Sequence, residues 1–244
     1  KSMKLAGLLI FGVWYPQPYT QAAGADRLVM LLIGIDLALG PLLTLIVYKH
    51  GKRGMLFDIA FIAVVQFSAL IYGLSVISES RPTFVVVTRD MTYLTMASEL
   101  DDADLAAARE PQYQHRSWTG PVLVAAPQPE SAEDRNALLT SGMAGRDINV
   151  LPKNFRPFAD QGATLINGSL PLQRLLDLPA TADAIRSFVA EKAIPIERLR
   201  FQPLRGRNPE MDMTVVFDSA NAAIVGVVAV DPWPAIDQPA GDQR

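Results

Sequence analysis

The chain contains no cysteine, so neither a disulfide framework nor thiolate chemistry is open to it. Histidine is nearly as scarce: His50 and His115 are the full complement, and they lie in different regions. A metal centre needs clustered His, Cys or carboxylates. Only acidic runs such as Glu99 to Asp104 come close, and those read more simply as the solvated start of a helix. No Gly-rich phosphate loop, GxSxG elbow or HExxH pair occurs. His115 with Ser117 nearby makes no triad and reads as a surface loop. The sequence therefore predicts a non-enzymatic protein with no metal and no cofactor. Positive charge is also short where a soluble domain would carry it. Residues 81–244 hold 16 of the 22 Lys and Arg but 21 of the 25 Asp and Glu, a net charge of −5. That balance argues against nucleic acid as a partner, because phosphate binding needs a basic face.

What the sequence has in excess is apolar residues, 50% of the chain, concentrated before Glu79. Leu28 to Tyr48 carries a single charge in 21 residues, enough to cross a hydrocarbon core of roughly 30 Å. Met55 to Ile77 is long enough as well, with Asp58 near its start and Gln66 near its middle. The link between them, Tyr48 to Gly54, is short and basic, so the two spans form an antiparallel hairpin with its turn in the cytoplasm. Everything after the third helix then lies outside, in the periplasm of a cell with two membranes.

Leu5 to Tyr15 covers only about half a bilayer. Two readings fit. It is the end of a first transmembrane helix whose beginning precedes Lys1, or a signal peptide with Lys1 and Lys4 as its basic region and Ala23-Gly24-Ala25 as a cleavage site. The first is preferred, because the segment runs straight into Trp14-Tyr15-Pro16-Gln17-Pro18-Tyr19, an aromatic interfacial belt followed by a rigid turn. The expected division is residues 1–80 as the transmembrane region, with helices at about 5–15, 28–48 and 55–77, and 81–244 as one extracytoplasmic domain.

Asp36 stands eight residues after Leu28, where an unpaired carboxylate costs at least about 2.5 to 3.5 kcal/mol. Gly40 and Thr44 follow at spacings of four, on one side of the helix, and both admit a close neighbour. Pro41 removes a backbone hydrogen bond and kinks the helix. The face of Asp36, Gly40, Pro41 and Thr44 is thus a candidate docking groove for another transmembrane helix. The internal alternative is that Asp36 pairs with Gln66, a hydroxyl or water inside the protein's own bundle. For Asp58, near the cytoplasmic end and close to Lys52 and Arg53, a structural or interfacial role is expected.

For residues 81–244 the pattern predicts an α+β fold with an antiparallel sheet. Thr83 to Thr88 and Met91 to Met96 read as a hairpin across Arg89-Asp90, and Pro121 to Ala126 as a further strand. Ser98 is placed to cap a helix over Asp101 to Arg109, Ser131 one reaching Met143, and Thr181 one over Ala182 to Ala193. Leu151 to Phe158 reads as an aromatic-basic loop. Gly168 ends one helix, and Ser169 starts the next with Pro171 in its first turn. Leu199 to Leu204, Met213 to Phe217 and Ala223 to Val230 close the fold as strands, the last two as a hairpin.

Three stretches together carry a family resemblance: Trp14 to Tyr19, then Gly34 to Val47 with its GxDxxxGPLLT pattern, then Pro203-Leu204-Arg205-Gly206-Arg207 through Asp212 to Val216, ending at Asp231-Pro232-Trp233. The chain resembles the TfpX/TfpZ family of type IV pilin accessory proteins, over nearly its whole length and in the order of its parts. Leu151-Pro152 with Phe155 and Phe158 is similar to that family's LP-plus-aromatics segment, with Phe in place of Tyr. The resemblance implies an inner-membrane accessory protein or chaperone that binds a type IV pilin and assists its assembly. It transfers no catalytic residue. The competing expectations are a membrane-anchored periplasmic sensor or ligand-binding module, and a membrane enzyme using intramembrane carboxylates such as Asp36. A sensor would need an apolar pocket with convergent polar groups and a signalling domain that this chain lacks.

Overall fold

The computed structural model describes residues 9–24, 55–207 and 212–237, together with residues 7, 29, 30, 33, 34 and 38. A wide, π-type helical turn, Leu9–Trp14, leads into the turn at Pro16, and Gln17-Pro18 is a cis peptide. Helix α1, Met55–Glu79, follows. Its stretch Ile59–Glu79 is 21 residues of mostly exposed apolar side chains, long and apolar enough to cross a membrane. Phe57, Phe61, Phe67 and Tyr72 are all exposed along this helix, the kind of apolar surface that marks contact with a membrane or a partner.

The chain then builds one mixed sheet. Its strands are β1 (Pro82–Val87), β2 (Thr92–Met96), β3 (Val122–Ala125), β4 (Arg156–Pro157), β5 (Leu170–Pro171), β6 (Leu199–Arg205), β7 (Met213–Asp218) and β8 (Ile224–Val228). Their order is β4-β3-β1-β2-β6-β7-β8, with β5 also paired to β6. The hairpins β1–β2 and β7–β8 form where the sequence places them. The sheet is not antiparallel throughout, however. β1 runs parallel to β3, and β2 parallel to β6. Both pairs are joined through long connections, which free the incoming strand to run in either direction, whereas a tight turn forces reversal. One edge of β6 is shared: β5 pairs at Arg200 and Phe201, β2 at Leu204 and Arg205. Between those partners stand Gln202 and Pro203, and the buried Gln202 side chain joins the elements itself. Its amide donates to the carbonyls of Thr88 and Arg89 at 3.3 and 3.0 Å and accepts from the Thr92 hydroxyl at 2.8 Å.

The helices are α2 (Asp102–Ala106), α3 (Ala132–Met143), α4 (Phe158–Ile166), α5 (Gln173–Leu176), α6 (Ala182–Lys192) and α7 (Trp233–Ile236). Ser131 caps α3, its Oγ accepting from the Asp134 amide at 3.0 Å. Three expected helix starts differ. Ser98 caps nothing: Ala97–Glu99 forms its own turn, because the Glu99 carboxylate reaches back to the Met96 amide at 2.6 Å, and α2 begins after Asp101. Ser169 and Pro171 do not open a helix, since Leu170–Pro171 is drawn onto β6 as β5. Thr181 precedes α6 but donates its hydroxyl to the Leu175 carbonyl instead of accepting from the helix. The segment Leu151–Phe158 is more than a loop, for Arg156–Pro157 pairs with β3 and Phe158 begins α4.

Both faces of β1 are buried, and its side chains alternate between two cores. Phe84 and Val86 point into an aromatic cluster with Tyr113 and Phe155, the Phe84 and Phe155 rings 5.2 Å apart. Val85 and Val87 face the other way, into a core built also from Leu94, Leu204, Val215 and Phe217. That second core is completed by Ile10, Trp14, Tyr15, Ala22 and Ala23 from the N-terminal segment and by Ile77 from the end of α1. A third cluster packs α5 and α6 on the far end of the sheet, through Leu172, Leu175, Ile185, Leu199, Phe201 and Val216.

Candidate functional site

The Leu9–Trp14 turn, the end of α1 and the sheet meet in one buried junction. Tyr15 is fully buried, and its hydroxyl donates to the Ile77 carbonyl at 3.0 Å. That carbonyl lies in the last turn of α1, where helix acceptors lack intrahelical donors. Arg81 serves the same end of the helix. Its guanidinium donates to the Ser78 carbonyl and hydroxyl and, through Nε, to the Ser117 carbonyl at 2.9 Å. A cation near a helix C-terminus also meets the favourable end of the dipole. Burial lowers the Arg81 pKa, with Arg116 adding to the effect. The carbonyls and the face of Trp118, whose centroid lies 4.0 Å from the guanidinium carbon, replace the lost water.

The turn after Tyr15 is docked on the end of β6. The Arg207 amide donates to the Ala22 carbonyl at 3.0 Å. Gly206 is required there, since a Cβ would run into the Ala22 carbonyl. Tyr19, half-buried and packed against the same core, has its pKa pushed up to about 12 by desolvation. Pro16 rests on Gly120, whose positive φ of 97° strains any side chain and where an added Cβ would sit tightly against Pro16 and the Val13 carbonyl.

A second feature adjoins the first. Arg205 forms a two-pronged ion pair with the buried Asp212, at 3.2 and 3.0 Å, and the Trp233 indole donates to the same carboxylate at 3.0 Å. The pair raises the Arg205 pKa, the hydrogen bond to Asp212 being the main cause. A cleft of about 560 Å³ is lined by Arg205 and Trp233 together with Met91, Tyr93, Leu138, Asp147 and Ile148, Tyr93 being the strand partner of Arg205. The Tyr93 phenol has its pKa raised to about 12, first by burial and then by Asp147. Among the described residues, no group of His, Asp and Glu side chains could hold a metal ion.

Of the residues singled out from sequence, Trp14, Tyr15 and Pro16 all belong to this junction. They are turned into the protein, Trp14 8% and Tyr15 0% exposed. Gln66 is half-buried in the middle of α1. Asp36, Gly40, Pro41 and Thr44 lie outside the described residues. The motif stretches Trp14 to Tyr19, Pro203 to Arg207 and Asp212 to Trp233 come together in space, which sequence order alone does not reveal. Arg81, Trp118 and Gly120 were not singled out. An arginine directly after an apolar helix was the available signal for the first; Trp118 and Gly120 had none.

The family model described as fimbrial assembly protein FimB matches residues 4–24, a stretch that includes the core residues Ile10, Trp14, Tyr15, Ala22 and Ala23. The fimbrial assembly protein of serogroup I from Dichelobacter nodosus is 31% identical over 233 residues, 94% of this chain and 89% of its own. The chain belongs to the fimbrial assembly protein family. The serogroup E1 protein of the same organism is 30% identical over 95% of this chain and 90% of its own. A protein of serogroups C1 and C2 is 44% identical over 88 residues, 35% of this chain and 66% of its own. No solved structure matches. This fimbrial assembly family is one of non-enzymatic assembly factors.

Proposed function

We propose that the chain is an inner-membrane accessory protein that binds a type IV pilin and assists its assembly into pili, in the manner of the TfpX/TfpZ family. The observation that carries this reading is the full-length likeness to fimbrial assembly proteins, joined to an apolar helix whose side chains face outward. Two apolar spans around a basic link support a cytoplasmic turn at Lys49 to Arg53 and a periplasmic location for residues 81–244. Burial of Ala22 and Ala23 in the core favours a retained first helix over a leader cut beside them. A pilin waiting in the membrane offers one apolar helix and a globular head. The face of Asp36, Gly40, Pro41 and Thr44, with Gln66 from the neighbouring span, is the proposed seat for that helix, because close packing and polar contacts drive association in lipid. The exported domain then selects among heads.

The test is crosslinking of full-length protein in native membranes, followed by identification of the captured partner. Recovery of a pilin supports the reading, and its loss on Gly40→Leu places the seat. Capture that excludes pilins, with piliation unchanged in a deletion strain, refutes it. Topology is checked separately: reporters after residue 80 should be periplasmic, and reporters in Lys49 to Arg53 cytoplasmic.

A further inference from the structure

We propose that Trp118 anchors the exported domain to the bilayer surface, its indole entering the headgroup layer beside the end of α1. The inference rests on the membrane reading of α1. Three aromatic residues gather at that end of the helix. The two that precede the turn, Trp14 and Tyr15, are spent on the core, whereas Trp118 is 61% exposed. It comes from a loop far along the sequence, yet its place is fixed on both sides. Before it, the Ser117 carbonyl accepts from Arg81, two residues past the end of α1. After it, Gly120 is pressed against Pro16 and the Val13 carbonyl. Beneath it lie the Arg81 guanidinium, 4.0 Å away, and the Trp14 ring at 6.3 Å.

The span Ile59–Glu79 has 21 residues, about 31 Å of helix at 1.5 Å each, which matches the hydrocarbon core. Its C-terminal end therefore falls at the headgroup level, and Trp118 stands at that level on a rigid mount. An indole has an apolar body and one donor, and such side chains favour this layer. The exposed apolar surface of α1, through Leu70, Ile71 and Tyr72, leads toward the same end. A fixed aromatic there sets the height and tilt of the domain above the membrane, and with it the surface shown to a pilin head.

The absence of native cysteine allows single-cysteine labelling of the full chain. Trp118→Cys, Thr119→Cys and Phe67→Cys, each carrying an environment-sensitive fluorophore, are reconstituted into phosphatidylcholine vesicles. The vesicles contain lipids with a nitroxide either near the headgroup or deep in the acyl chain. The label at 67 should lose fluorescence mainly to the deep nitroxide, and labels at 118 and 119 mainly to the shallow one. Thr119→Cys retains the indole, so it reports on the loop with its anchor intact. Quenching at 67 without quenching at 118 and 119 overturns the anchor and leaves the membrane reading standing. Absence of quenching at 67 removes the membrane reading, and the anchor with it.

Discussion

The Arg207 amide and the Ala22 carbonyl are joined at 3.0 Å, across about three quarters of the chain's length. The bond ties the turn that follows the first apolar segment to the end of β6. Gly206 makes the approach possible, so Gly206→Ala should push the turn off the sheet edge. One hydrogen bond is worth about 1 kcal/mol, and the loosened burial of Ala22 and Ala23 adds to that. The expected outcome is a lower melting temperature of the full chain in detergent and faster proteolysis between residues 16 and 24. Unchanged proteolysis would show that the turn is held without this joint.

Tyr15→Phe keeps the ring and removes one hydroxyl. The Ile77 carbonyl then loses its donor inside a buried site, at a cost of about 1–3 kcal/mol. The melting temperature should fall, while the far-ultraviolet spectrum stays that of the parent because the strands are untouched. A neutral result would mean that water reaches the Ile77 carbonyl.

Asp212 accepts from both Arg205 and Trp233 and is almost fully buried. Asp212→Ala leaves the indole N–H without its acceptor and frees Arg205, which is partly exposed and can turn to water. A loss of about 2–3 kcal/mol is expected, less than for a fully buried pair. Urea titration of the full chain, followed by tryptophan emission, reads it.

Much of this was legible in the sequence. The β1–β2 and β7–β8 hairpins follow from short turns between β-branched runs, and the Ser131 cap from a serine followed by acidic residues. What was hidden depends on distant partners. Leu170–Pro171 carries no local strand signal and becomes β5 only because β6 offers an unpaired edge. The parallel β1–β3 pair depends on how a long connection returns. At the junction, Tyr15 could be read as an interfacial aromatic from its neighbours, but its hydrogen bond to Ile77 could not. Phe155 in the LP-plus-aromatics stretch has a structural explanation, since it packs against Phe84 and Tyr113.

Asp218 supplies a pH test. Arg198 holds its carboxylate with two hydrogen bonds, at 3.1 and 2.5 Å, and lowers its pKa, helped by the Ala220 amide. A carboxyl depressed on folding contributes stability above its unfolded pKa, about 3.9, and loses it as pH falls through the folded value. Asp218→Asn should therefore lower the melting temperature by a constant amount from neutral pH to about pH 5. The gap to the parent should close in more acidic solution. A gap that persisted undiminished at the lowest pH would assign the loss to geometry, not charge.

The last prediction separates the two carboxylates of the apolar segments. Asp36 stands eight residues after Leu28 in its apolar run, with Gly40 and Thr44 following at spacings of four; Asp58 stands four residues after Gly54, next to the proposed cytoplasmic turn. A deep carboxylate persists only where a partner, a proton or water satisfies it. If that partner belongs to a docked pilin helix, Asp36→Leu should reduce pilus assembly and pilin capture together. Asp58→Asn should change both less, because a group near the interface can reach water. The comparison must be made at equal protein levels in the membrane, since a bundle that used Asp36 internally would lose abundance first. Reduced capture at unchanged abundance assigns Asp36 to the pilin. Reduced abundance with capture per molecule preserved assigns it to the chain's own bundle, for which Gln66 is the candidate partner.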